Sequence, residues 1–136
     1  MYSFQCPAGW HYINCEGNSA YAPHTMLVNP DPVCNQEEYG VRAFAISYPA
    51  PSDPPRYLGT LQSTQNVTVD GVSGTRTVYV VTADNPLPPP KGTVQVLYKF
   101  VAGGRTYYLE YDHFPDNIDR TVAFDQMVTG SLKFSA

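Results

Sequence analysis

The stretch TVQVLYKFVAGGRTYYLEYDHF, residues 93–114, restricts the fold more than any other part of the chain. Apolar and polar residues alternate on both sides of Gly103-Gly104. A Gly-Gly pair accepts the two positive φ angles that a two-residue hairpin turn demands. With the turn placed there, Phe100 faces Tyr107, Tyr98 faces Leu109 and Val96 faces Tyr111, which makes one apolar face of cross-strand pairs. The opposite face pairs Lys99 with Tyr108 and Leu97 with Glu110, and this mixed character predicts partial solvation. A hairpin alone is marginal in water, so its apolar face requires more strands or a packed helix.

The rest of the sequence supplies both. YSFQCPAGWHYIN reads as two short strand pieces around a kink at Pro7-Ala8-Gly9, and TMLVN as a third short strand. VRAFAISYPA alternates Arg42, Phe44, Ile46 and Tyr48 on one face with the small set Val41, Ala43, Ala45 and Ser47 on the other, which suits a closely packed helix. YLGTLQSTQ fits a helical turn or an extended segment. Two further strands flank Asp70-Gly71, and NPLPPPKG reads as a stiff polyproline-like connector. In PDNIDRTVAFDQMVTG, Asp116 is placed to cap a helix and Asp119 to support the cap. Ile118, Val122, Phe124, Met127 and Val128 form its apolar side, and Gly130 marks its end. SLKFS then returns as a short strand. The expected architecture is α+β: one domain over residues 1–136, an antiparallel sheet of about six to eight strands covered by helices, with a C-terminal helix over 117–129.

Charge narrows the function. Charged residues are only 15% of the chain against roughly 25% in a soluble domain, while 11 Tyr and 13 Pro suit a β-rich protein working outside the cytoplasm. The net charge is −4 and the eight cations are scattered, so no cluster exists to track phosphates or to hold an anionic membrane. Nucleic-acid partners are therefore not expected. No apolar run reaches the roughly 18–20 residues of a membrane span. The opening MYSFQCPAGW is strand-like from residue 2, which suits a chain whose export signal has been replaced by Met1; the alternative is a cytoplasmic protein that starts there.

Cys6, Cys15 and Cys34 lack zinc-site spacing. Two readings remain. One is a single disulfide, for which Cys15–Cys34 is the best of three pairings: it would close a loop of about 20 residues and stabilise by about 3 kcal/mol, leaving Cys6 over. The other is three buried thiols acting as small apolar residues.

Parts of the chain resemble a known family. YSFQCPAGW resembles the opening F-x-F-x-x-P-x-G-W of the PsbP-like family, the extrinsic photosystem II protein and its relatives. VTVDGVSGTRTVYV resembles the family's V-x-G-x-x-A-x-x strand pair, and GRTYYLEYDHF with FDQMVTGSLKF resembles its closing strand, helix and S-F-x-F ending. The resemblance implies an antiparallel sheet sandwiched by helices, a fold shared with a Ran-binding import factor and with bacterial exported lipoproteins of unknown role. It also implies an extracytoplasmic setting, secreted or lipid-anchored. The chain departs from the pattern between residues 15 and 40, and the helix expected after the third strand falls on the Pro-rich PAPSDPPRYLGTLQST. The matching motifs mark strands and turns, so no functional residue carries over and photosystem binding is not implied.

The candidate chemistry is sparse. YYLEYDHFPDNIDR gathers His113, Asp112 and Asp116 as potential metal ligands, with Glu110 and Asp119 nearby. It lacks the Gly of a calcium loop, and helix capping accounts for its acids equally. No G-x-S-x-G elbow occurs, and no pair of acids is singled out for glycoside chemistry. Tyr107, Tyr108, Tyr57 and Trp10 are candidate rings for a partner or sugar surface. Asn66-Val67-Thr68 is a glycosylation sequon, relevant only in a eukaryotic secretory host. The expected function is an exported, non-enzymatic domain without a cofactor that binds a protein or cell-envelope component. The alternatives are a metal-binding protein or metal-assisted enzyme using residues 110–119, and a binder of a small ligand or carbohydrate.

Overall fold

The computed structural model describes residues 2–14, 26–29, 41–47, 59–84 and 90–134. Its centre is the expected hairpin: β7 (Val94–Ala102) and β8 (Arg105–His113). Gly103 and Gly104 turn it with φ of 58° and 77°, a pair of angles that residues with side chains adopt at a cost. The register pairs Phe100 with Tyr107, Tyr98 with Leu109 and Val96 with Tyr111, as the sequence demands.

Five more strands complete a seven-stranded antiparallel sheet in the order β2-β3-β4-β8-β7-β6-β5. These are β2 (His11–Asn14), β3 (Met26–Asn29), β4 (Val41–Ser47), β5 (Gly59–Val69) and β6 (Val72–Val81). The segment that the sequence left between turn and strand is thus extended: β5 starts at Gly59 and runs to Asp70-Gly71, whose φ angles of 50° and 75° close the second hairpin. In β4, Val41, Ala43 and Ala45 fall opposite Tyr111, Leu109 and Tyr107. A second, two-stranded sheet joins the two ends of the described chain, β1 (Tyr2–Ser3) against β9 (Lys133–Phe134).

The only helix among the described residues, α1 (Thr121–Ser131), lies over the apolar face of the central hairpin. Phe124, Met127, Val128 and Leu132 are buried with Val96, Tyr98, Phe100, Tyr107, Leu109 and Tyr111. Burial of each large side chain contributes about 1.5–3 kcal/mol. Rings interlock edge to face: Tyr98 with Phe124 at 5.5 Å, Tyr107 with Phe134 at 5.2 Å and Tyr107 with Tyr2 at 5.3 Å between centroids.

The expected helix needs correction. The helix spans 121–131 rather than 117–129, because side chains of β8 claim the backbone of 117–120. The Tyr111 hydroxyl accepts from the Arg120 N–H (2.8 Å), and His113 Nε2 donates to the Asn117 carbonyl (3.0 Å). Ile118 and Val122, expected on the apolar side, are 72% and 69% exposed. Gly130 sits inside the last turn rather than ending it. The far face of the hairpin is solvated in part, as its mixed composition suggested: Gln95, Leu97, Tyr108 and Glu110 are buried, Lys99 and Asp112 are half-buried, and Val101 is 52% exposed.

Candidate functional site

The feature of the described surface best suited to binding is the outer strand β5. Eleven residues long, it forms one end of the seven-stranded sheet, and among the described residues it pairs along its length with β6 only. Its sequence, GTLQSTQNVTV, holds no charged residue and no proline. Residues 60–66 and Thr68 are exposed, and the exposed set is almost wholly Thr, Ser, Gln and Asn. An edge strand turns alternate N–H and C=O groups outward, and folds usually blunt such an edge with charges, prolines or bulges. Here the sole device within the strand is a bulge between Leu61 and Ser63, which leaves Gln62 unpaired and Leu61 57% exposed. From Ser63 to Val69 the ladder is regular.

Both ends of this edge are fixed. Thr60 and Thr82 share a hydroxyl–hydroxyl bond of 3.1 Å. At the hairpin tip, Asp70 Oδ2 accepts the backbone N–H of Phe134 (2.9 Å) and Oδ1 lies 3.7 Å from Lys133 Nζ, tying the β5–β6 turn to β9. Behind the edge, Asp125 of α1 accepts both forks of Arg76 (3.0 Å each) and the Tyr98 hydroxyl (2.6 Å). This three-way contact pins the helix across β6 and β7. The hydrogen bond and charge of Asp125 raise the Arg76 pKa above its usual value, and burial chiefly raises that of Tyr98, reinforced by the bond to Asp125.

The residues singled out for chemistry are distributed otherwise. His113 and Asp112 end β8 at adjacent positions, which alternate between faces, and Asp116 is exposed in the following turn. The bond from His113 to Asn117 occupies its Nε2 proton. Among the described residues, no group of three His, Cys, Asp or Glu side chains is arranged to hold a metal ion. Asp116 does not cap α1: the N-cap position is Arg120, without a side-chain cap bond, and Asp119 just before it closes a local turn, its Oδ1 accepting the N–H (2.9 Å) and hydroxyl (2.6 Å) of Thr121, bonds that lower its pKa.

Tyr107 and Tyr108 are 2% and 1% exposed, which corrects their reading as a partner surface: cross-strand packing uses both rings. Trp10 is half-buried against the core, after the Pro7–Trp10 turn closed by a 3.0 Å backbone bond. Tyr57, Cys15 and Cys34 lie outside the described residues. Cys6 is a free, half-buried thiol whose pKa burial raises, so it is a poor nucleophile. It lines an open groove of about 320 Å³ between residues 5–7 and the Ala123, Met127 and Gly130 side of α1. The Ser131 hydroxyl closes one end by bonding Gln5 N–H at 3.0 Å.

An antiparallel sheet with a C-terminal helix on one face and the chain ends joined beneath it is a PsbP-like α+β fold. The solution structure of cyanobacterial PsbP (CyanoP) from Synechocystis sp. PCC 6803 is similar to it, with a TM-score of 0.61, over 98% of this chain and 86% of that one. The two are 14% identical, so the likeness is one of fold. No protein-family model matches the sequence, and no curated protein does. Among the described residues, no helix is long and apolar enough to cross a membrane.

Proposed function

We propose that this chain is an extracytoplasmic, non-enzymatic domain that binds a protein component of the cell envelope by strand addition to the β5 edge. The observation that carries the reading is the edge itself: long, exposed, uncharged, and backed by a rigid helix-pinned sheet. Such an edge offers main-chain hydrogen bonds to an incoming extended segment, and its alternate side chains select the sequence. The groups that could do chemistry support a binding role, because the fold uses them. His113 holds Asn117, Asp119 closes the turn before the helix, and Asp125 clamps Arg76 and Tyr98. The extracytoplasmic setting follows the low charge and the resemblance of the sequence and fold to PsbP-like proteins.

The test is capture from envelope extracts with the tagged chain and with a Thr64→Lys/Thr68→Lys variant. Both positions are exposed, so the variant keeps the fold, which circular dichroism checks. The expected result is a protein retained by the parent chain and lost, at least tenfold, by the variant. Equal retention by both chains removes the edge as the binding surface, as does no retention by either when the parent chain also sediments as a monomer.

A further inference from the structure

Resting on that reading, we infer that the occupant of the β5 edge is a second copy of this chain, paired antiparallel about a two-fold axis at Asn66. The regular part of β5, Ser63 to Val69, is centred on Asn66, and its exposed even positions, Thr64, Asn66 and Thr68, match themselves about that centre. In that register Asn66 faces its own copy, Thr64 faces Thr68 and Gln65 faces Val67. Thr–Thr and amide pairs are favourable across antiparallel strands, and each occurs twice or on the axis by symmetry.

Charge favours the same partner. The whole molecule carries −4, which opposes self-association in general, yet β5 carries no charge to oppose its copy. The nearest acid in the chain, Asp70, is engaged by Lys133 and the Phe134 N–H. The bulge at Gln62 ends the regular ladder at one side and the Asp70-Gly71 turn ends it at the other, so the paired length is set within the strand. The opposite edge, β2, offers only four residues. Pairing through β5 joins two seven-stranded sheets into one continuous sheet and leaves no long edge exposed among the described strands.

The test is the mass of the purified protein by sedimentation across a hundredfold concentration range. The parent chain is expected to reach twice 15.0 kDa. Thr64→Lys/Thr68→Lys, which sets like charges opposite each other, is expected to stay at 15.0 kDa. Thr64→Glu/Thr68→Glu is expected to do the same, and an equimolar mixture of the two variants to recover the dimer. A parent chain that stays monomeric overturns the inference, as does a dimer that either variant leaves intact, or a mixture that fails to recover. A monomeric parent that still captures an envelope protein in an edge-dependent way overturns the self-pairing alone. The strand-addition reading then stands with a different partner.

Discussion

Two glycines show how single positions are constrained by what surrounds them rather than by residue type. Gly74 of β6 lies opposite Phe100, and a Cβ there would fall 2.4 Å from the Lys99 carbonyl oxygen and 2.4 Å from the Phe100 ring. Phe100 is fully buried against Phe134 and Tyr98, so its ring has no room to withdraw. Gly130 lies in the last turn of α1, exposed, with no atom within 4 Å of the same position. Gly74→Ala is therefore expected to destabilise by about 1–3 kcal/mol through overpacking. Gly130→Ala is expected to stabilise by about 0.4–1 kcal/mol through lost freedom in the unfolded chain. Urea unfolding midpoints read both. Shifts of the same sign would show that the close approach at Gly74 is not what constrains it.

Elements were legible where local chemistry and long-range packing agree. The β7–β8 register followed from Gly103-Gly104 and the alternation around it, and the β5–β6 turn from Asp70-Gly71. The start of α1 was not legible, because it depends on two side chains donated by another element: Tyr111 and His113 of β8 hold Arg120 and Asn117 outside the helix. The candidate edge was half-legible. The absence of charge in GTLQSTQNVTV is visible in the sequence, but its place at the end of the sheet depends on the order of seven strands, which no local pattern encodes. Asp119 carries the test at this scale. Bonds from the Thr121 hydroxyl and N–H lower its carboxyl pKa below the roughly 3.9 of an unfolded aspartate. Its contribution is complete above that unfolded value and is lost as pH falls through the depressed folded one. Asp119→Ala is expected to cost about 0.5–1 kcal/mol at pH 7, as loss of an exposed hydrogen-bonded turn does. The gap between the two chains should narrow below pH 4, measured by urea unfolding at both pH values. A gap that stays constant with pH would mean that the carboxylate does not hold the turn before the helix.

At the scale of the whole molecule, three tyrosines link the parts that local pairing leaves separate, Tyr98 and Tyr111 through their hydroxyls and Tyr2 through its ring. Tyr98 joins the sheet to Asp125 of α1, Tyr111 holds the turn before α1, and Tyr2 sits in β1 against Tyr107, where β1 meets β9. Burial raises all three pKa values, that of Tyr2 to about 12. An unfolded tyrosine ionises near 10. Below that pH both states keep the proton and stability does not depend on these groups. Above it the unfolded chain releases protons first, so stability falls as pH rises toward the folded values. Alkaline titration is expected to show tyrosinate absorbance rising together with loss of ellipticity in one cooperative step above pH 10. Tyr2 separates this from a general effect of alkali. Its hydroxyl is buried with no hydrogen-bond partner, so it costs desolvation without return. Tyr2→Phe keeps the ring contacts with Tyr107 and Phe4 and removes both the unmet hydroxyl and its ionisation. The variant is expected to gain about 1 kcal/mol at pH 7 and to move the alkaline midpoint upward, read by urea unfolding and the absorbance titration. A variant that loses stability at pH 7 while keeping the parent's alkaline midpoint would place the Tyr2 hydroxyl in contact with water, and the β1–β9 junction outside the cooperative core.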